Sequence, residues 1–302
     1  MRKESLGTIL AVIAALISGL AIPVNKIFVI DLDSTVFTAV RLLFIGIIFF
    51  ILVSFQSNSK QKKFKKVPWK YLLAIAIIGG SFAFLMFFTG LKLTTAGRGA
   101  FLQKSLPLYI AIFAFLFLKE KISQKQAFAL LTMSIGTILI YSTTINPSEF
   151  WTNPSLGDLL VIGATILWAI ENTIAKKVMI EGESNFVISF ARMFMGGVIL
   201  FAIVIIQNKV GLLLVLTTQQ IINLTISIAV LFGYVFSWYW SIKLINVSKA
   251  STILLLAPVI SLIFGVLIFN EPTPNLQLLG SALILIGTFI VVKVKSEFTT
   301  GV

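Results

Sequence analysis

"FLFLKEKISQKQ", residues 115–126, closes one long apolar run, and "VLIFNEPTPNLQ", residues 266–277, closes another. In both, a glutamate stands one residue beyond the first polar position, and a glutamine follows six residues after it. Glu120 and Glu271 lie 271 − 120 = 151 positions apart. The same offset joins Arg41 to Arg192, Gly46 to Gly197, Gln56 to Gln207, Lys92 to Lys243, Pro107 to Pro258, Phe113 to Phe264, and the Gly136, Thr137 pair to Gly287, Thr288. At offset 150, Ser5 to Gly7 repeats as Ser155 to Gly157, and Lys26 as Lys176. A register held over so much of the chain marks a duplication, with a first unit over 1–145 and a second over 146–302.

The content of each unit is hydrophobic. The 302-residue chain is 58% hydrophobic and 12% charged, with a mean hydropathy of +1.03, too apolar for a soluble fold. A membrane-spanning helix needs about 20 mostly apolar residues. Such runs fall at 6–27, 35–55, 70–91, 97–118, 124–142, 156–178, 185–207, 219–242, 249–269 and 275–293. They are continuously apolar rather than alternating, which excludes a membrane β-barrel. The first run reads as a span and not a cleaved leader, because it has a counterpart in mid-chain. The expected fold is an all-α integral membrane protein of ten transmembrane helices. Five spans per unit is an odd number, so the second unit enters the membrane upside down, giving two inverted five-helix repeats. Inverted repeats suit alternating access to a central site.

Charge sets the orientation. Lys60 to Lys66 in "KQKKFKK", with Lys119, Lys121, Lys125, Lys176, Lys177, Lys243, Lys249, Lys293 and Lys295, fall on the side of both termini. The other side receives Lys26, Lys92, Arg98 and Lys209 beside Asp31 and Asp33. The positive-inside rule puts both termini in the cytoplasm of a cell membrane. The net charge of +13 is therefore a topology signal and not a nucleic-acid surface. The chain has neither cysteine nor histidine, which removes thiol chemistry, the usual transition-metal sites and histidine proton relays. No metal or cofactor is expected.

Against this background "ILWAIENTIAKK" (166–177), Arg41 and Arg192, Pro107 and Pro258, and the two glutamate-bearing stretches resemble the drug/metabolite transporter superfamily, and within it the ten-span EamA-type transporters. The resemblance covers essentially the whole chain. It implies that the first four helices of each repeat surround a central cavity, with the fifth peripheral. One departure is that Ser18 and Gly19 stand where the first repeat's tryptophan would fall.

Ionisable groups deep in spans are costly, so they are candidates for function. They are Arg41, Lys104, Glu171 and Arg192. Glu171 and Arg192 each lie about two turns from the cytoplasmic end of adjacent spans and are placed to meet. They form either a structural ion pair or a site where a zwitterion or proton competes. Glu171 is the sole carboxylate well inside a span, hence the candidate for proton coupling. Offset 150 from it lands on Ala21, so Arg41 lacks an equivalent partner. Arg41 and Lys104 would then form a positive zone in the outer half, or else snorkel to the interface. Trp168, one turn before Glu171, is the candidate stacking wall. The aromatics of "GYVFSWYWSIK", Tyr234, Trp238, Tyr239 and Trp240, read as an interfacial belt. Glu120 and Glu271 read as helix-end caps. Gly79, Gly80, Gly196 and Gly197 allow close helix contact.

The reading is a secondary transporter, with export implied by the resemblance, of a small polar metabolite such as an amino acid or related organic acid. Its partners are that substrate, the bilayer and possible coupling protons. Phosphorylated metabolites are the alternative substrate. A channel or membrane-embedded enzyme is disfavoured, since no catalytic set of carboxylates, histidines or activated nucleophile is present.

Overall fold

A computed structural model describes residues 2–28, 33–57, 68–146, 148 and 152–296. The Lys60 to Lys66 run, Asp31 and the side chains of Pro23, Lys26 and Gln56 lie outside the described residues.

The described chain is helical, in ten elements: α1 Arg2–Phe28, α2 Ser34–Ser57, α3 Trp69–Leu93, α4 Gly97–Leu118, α5 Gln124–Tyr141, α6 Leu156–Ile180, α7 Asn185–Ile206, α8 Thr218–Leu244, α9 Val247–Ile268 and α10 Asn275–Lys293. Among the described residues, all but α5 are long and apolar enough to cross a membrane by length and composition. The exception, 18 residues long, opens on Gln124, Lys125 and Gln126, which dilute its apolar content.

The boundaries follow from local chemistry. Ser123 caps α5 through the Gln126 N–H, and Ser155 with Asp158, like Thr217 with Gln220, closes a reciprocal capping box. At their far ends α4 and α9 stop in the same way. Lys119 and Asn270 both adopt the left-handed conformation that terminates a helix, at φ 54° and 52°.

The helices pair across the two halves of the chain. α1 packs on α8 and α9, and α6 packs on α3 and α4. α2 pairs with α7, and α5 with α10. The close approaches are reciprocal at offset 151. A Cβ on Gly46 would lie 2.4 Å from Phe194 Cα, and one on Gly197 would lie 3.0 Å from the backbone nitrogen of Leu43. Likewise Gly136 faces Ile284 and the Gly280 carbonyl, while Gly287 faces Met133 and the Ala129 carbonyl. Small residues at these points let backbones touch, which supplies dispersion contacts where lipid offers no hydrophobic drive.

Two helices each widen into a single π-turn. α3 carries a π-turn at Ile78–Phe82 and α7 one at Ala191–Met195. Their equivalents α8 and α2 are uninterrupted. Single π-turns concentrate at functional sites.

Candidate functional site

The two π-turns and the middle of α6 meet. A Cβ on Gly79 would fall 2.2 Å from Glu171 Cγ, and one on Gly80 would fall 2.3 Å from the Arg192 carbonyl oxygen. Glycine at both positions thus lets α6 and α7 close on α3, which is the close contact expected of these residues. The Trp168 indole N–H donates to the Gly79 carbonyl at 3.1 Å and fixes the register of α6 against the turn.

At this junction Glu171 and Arg192 stand side by side, with Glu171 Oε2 3.2 Å from Arg192 Nη1. Both are buried, at 0% and 7% exposure, so neither charge can be hydrated by bulk water. The Tyr239 hydroxyl, from α8, completes the group. It donates to Glu171 Oε1 at 2.5 Å and accepts from Arg192 Nη1 at 2.8 Å. Among the described residues Glu171 Oε2 and Arg192 Nε are buried with no hydrogen-bond partner. Such a half-satisfied ionic group is costly in a low-dielectric interior, and it retains capacity for a polar ligand.

Aromatic rings wall the cluster. Phe84 and Phe87 pack on Trp168 with ring centroids 5.3 and 5.2 Å away, the former edge-on. Tyr234 lies parallel to Trp238 at 6.4 Å and is half-buried. The Trp238 N–H donates to Asn172 Oδ1 at 2.6 Å, and Asn172 in turn donates to the Trp168 carbonyl. Trp168 itself is 5% exposed, enclosed by its phenylalanine neighbours.

These positions correct the expectation of an interfacial belt. Trp238 and Tyr239 are among the largest fully buried side chains, and Trp240 packs on Phe186 and Phe236. Consecutive aromatics do point in different directions, but α8 is covered on more than one side, by α1, α2, α6 and part of α7. The site residues missed in the sequence are therefore Tyr239, Trp238 and Asn172. The signal that could have found Asn172 was its place beside Glu171 in "WAIEN".

Arg41 and Lys104 make no hydrogen bond or ion pair with the cluster among the described residues. Arg41 is buried, donates to Ser227 Oγ at 2.9 Å and lies over the Phe37 ring at 4.2 Å. At 5% exposure its guanidinium is enclosed by the protein and does not snorkel to the interface. Lys104 is half-buried at the break within α4. Lys176 serves the fold: its ammonium donates to the Ile242 and Ile245 carbonyls, satisfying the C-terminus of α8. Among the described residues no cluster of acidic side chains has the makings of a metal site.

The comparisons agree with this architecture. The model of the EamA-like transporter family matches residues 5–142 and again 155–293. The chain belongs to the EamA-like transporter family, and its business is the movement of a small molecule across a bilayer, not catalysis. It is 26% identical to the uncharacterized transporter YyaM of Bacillus subtilis (strain 168) over 248 residues, 78% of this chain and 77% of the relative. It is 25% identical to the uncharacterized transporter YoaV of the same organism over 269 residues, 88% of this chain and 89% of that one. A crystal structure of a protein 15% identical in sequence superposes with a TM-score of 0.75, covering 94% of this chain and 96% of the other, which shows the shared fold.

Proposed function

We propose that the chain is a secondary transporter of a small zwitterionic metabolite, an amino acid or a related organic acid, working by alternating access and exporting its cargo. The two halves, 1–145 and 146–302, act as inverted repeats in the cell membrane with both termini cytoplasmic. The observation that carries the substrate class is the buried Glu171, Arg192 and Tyr239 group. Opposite charges 3.2 Å apart, each with an unmet hydrogen-bonding atom, match an ammonium and a carboxylate on one small molecule. A cargo entering the cluster would exchange the internal pair for two intermolecular ones, so binding and release need no net burial of charge. The half-buried Tyr234 and its partner Trp238 offer an apolar wall beside it.

Glu171 is also the proposed coupling group. Its carboxylate can take up a proton when the cargo's ammonium leaves, and the Tyr239 hydroxyl and Arg192 hold it in place meanwhile.

The test is counterflow of labelled amino acids into liposomes loaded with unlabelled ones. Saturable accumulation that Tyr239→Phe reduces and Glu171→Gln uncouples from an imposed pH gradient is the expected result. No accumulation by correctly folded protein overturns the substrate class, and unchanged pH dependence in Glu171→Gln removes it as the coupling site. Lys104 favours the second reading, a phosphorylated cargo, because it carries a half-buried ammonium with no hydrogen-bond or ion-pair partner among the described residues. Loss of phosphate-ester exchange alone in Lys104→Ala would mark that reading.

A further inference from the structure

The two glutamates that close α4 and α9 sit on identical backbones and do different things. Each follows a left-handed residue, and each donates its own N–H back into its helix, Glu120 to Ala114 and Glu271 to Gly265. The Glu120 side chain then crosses to the start of α9. Its Oε1 accepts the Val247 N–H at 3.0 Å, and its Oε2 accepts the Ser248 N–H at 3.1 Å and the Ser248 hydroxyl at 2.6 Å. Asn246, the residue in the capping position, makes no side-chain cap of its own, so Glu120 supplies it from another helix. Glu120 is 2% exposed.

Glu271 is exposed and makes no side-chain hydrogen bond among the described residues. The equivalent receiving groups are the N–H groups of Ala96 and Gly97 at the start of α4. Thr95 caps that helix through the Arg98 N–H, and among the described residues no side chain accepts from the Gly97 N–H.

Burial follows the same division. Every residue from 245 to 259 is buried, whereas among the described residues of the equivalent 94–108 only Gly99, Leu102 and Pro107 are. The first segment of α9, Val247–Ile253, packs on Leu106–Leu118 of α4. The matching segment Ala96–Gln103 packs on α6 instead. Both segments are set off from the rest of their helices at the same place. The 3-10 turn Leu254–Leu256 precedes Pro258, and the break between Gln103 and Leu106 precedes Pro107. Proline removes a backbone hydrogen bond and makes each junction a ready hinge.

We propose that Glu120 and Glu271 are alternating latches. Glu120 holds the lysine-rich face shut in the state described here, and Glu271 takes the Ala96 and Gly97 N–H groups when the opposite face shuts. The proposal rests on the transport reading above and assigns its gates. In either state one short helical segment is capped by a carboxylate from the other half, and the site between them opens toward the face whose latch is free. Each latch accepts two backbone N–H groups, and the Ser248 hydroxyl adds one more donor on the Glu120 side, so exchanging the latches leaves the energies of the two states close, as a reversible carrier requires.

The chain has no cysteine, so a single introduced thiol reports on one place. Ser251→Cys lies in the shut segment, where Ser251 is fully buried, and Ala100→Cys lies in the half-buried one. The full chain in liposomes is treated with a maleimide, alone and with Glu120→Gln added. The glutamine sets an N–H₂ group against donors that need an acceptor. The expected result is labelling at 251 faster on the order of tenfold, the shift that losing one charge-assisted hydrogen bond allows, and slower labelling at 100. Glu271→Gln should leave 251 protected and 100 reactive. Opposite movement at the two thiols under Glu120→Gln supports the latch. Unchanged rates, or both thiols gaining reactivity as in general loosening, overturn it. The assay needs no cargo, so opposite movement without counterflow sinks the transport reading alone, and counterflow without opposite movement sinks the latch alone.

Discussion

Arg41 and Arg192 hold the same place in the two halves of the chain, 151 residues apart, yet among the described residues only Arg192 has an acid beside it. Arg192 lies in a π-turn against Glu171 and Tyr239, whereas Arg41 lies in a regular helix with a neutral serine and a phenylalanine face. Position 150 before Glu171 is Ala21, and the residue 151 before Tyr239 is Phe88. The comparison teaches that duplication preserved the scaffold while the chemistry gathered on one side of it. The π-turns mark that side: both flank Glu171, and the equivalent helices lack them.

The largest expected effect tests this contrast directly. Arg192→Gln leaves the fully buried Glu171 without its countercharge, and breaking a buried pair from one side costs about 3–5 kcal/mol. Arg41→Gln removes a bond to a neutral hydroxyl and should cost about 1 kcal/mol. Thermal unfolding in detergent, followed by tryptophan fluorescence, should therefore rank Arg192→Gln well below Arg41→Gln. Equal losses would mean that the two arginines are structural equivalents after all.

A smaller effect separates the halves at the α2 and α7 crossing. Alanine at Gly46 sets its methyl 2.4 Å from the Phe194 backbone, while at Gly197 the nearest backbone atom is 3.0 Å away. Overpacking costs about 1–3 kcal/mol, and Gly46→Ala should fall toward the upper end with Gly197→Ala toward the lower. The same unfolding series reads the order, and a reversed order would show that the α7 side yields more readily than its contacts imply.

The smallest effect contrasts this buried ion pair with a wet one. Lys209 Nζ lies 2.7 Å from Asp33 Oδ2 at the ends of α7 and α2, with side chains 30% and 16% exposed. Partial burial pushes the Asp33 carboxyl up, but the hydrogen bond from Lys209 and the N–H groups of Val36 and Thr35 outweigh it and hold the pKa below its ordinary 3.8. A depressed carboxylate contributes stability above its unfolded pKa, and that contribution fades as the pH falls through the folded value. Lys209→Gln should lower stability by less than about 1 kcal/mol at neutral pH, and the difference from the unaltered protein should close below pH 3.8. A difference that persists in acid would assign the effect to packing of the lysine stem.

Much of this protein was legible in one dimension. Continuous apolar runs fixed the helices within a few residues, because a bilayer leaves the backbone no partner but itself. The offset 151 pairs marked the repeat, and the structure places Gly46, Gly197, Gly136 and Gly287 among them where backbones meet. The meeting of Glu171 with Arg192 followed from a short connection and a shared depth. Glu120 was read as a cap, though the helix it caps is α9 and not its own.

Other features depended on contacts that no local pattern encodes. Trp238 and Tyr239 look like an interfacial belt in sequence, and only the covering of α8 by helices from both halves turns them inward. The π-turns have no signature in the residues that form them, because the extra residue is accommodated by what lies opposite. Which of the two matched glutamates is engaged by the other half is also invisible in the chain. The sequence determined a membrane scaffold of paired helices, since periodicity and solvent act on each segment alone. The tertiary structure decided which half carries the charges' partners and which glutamate is buried against the other half, since those depend on the arrangement of residues far apart in the chain.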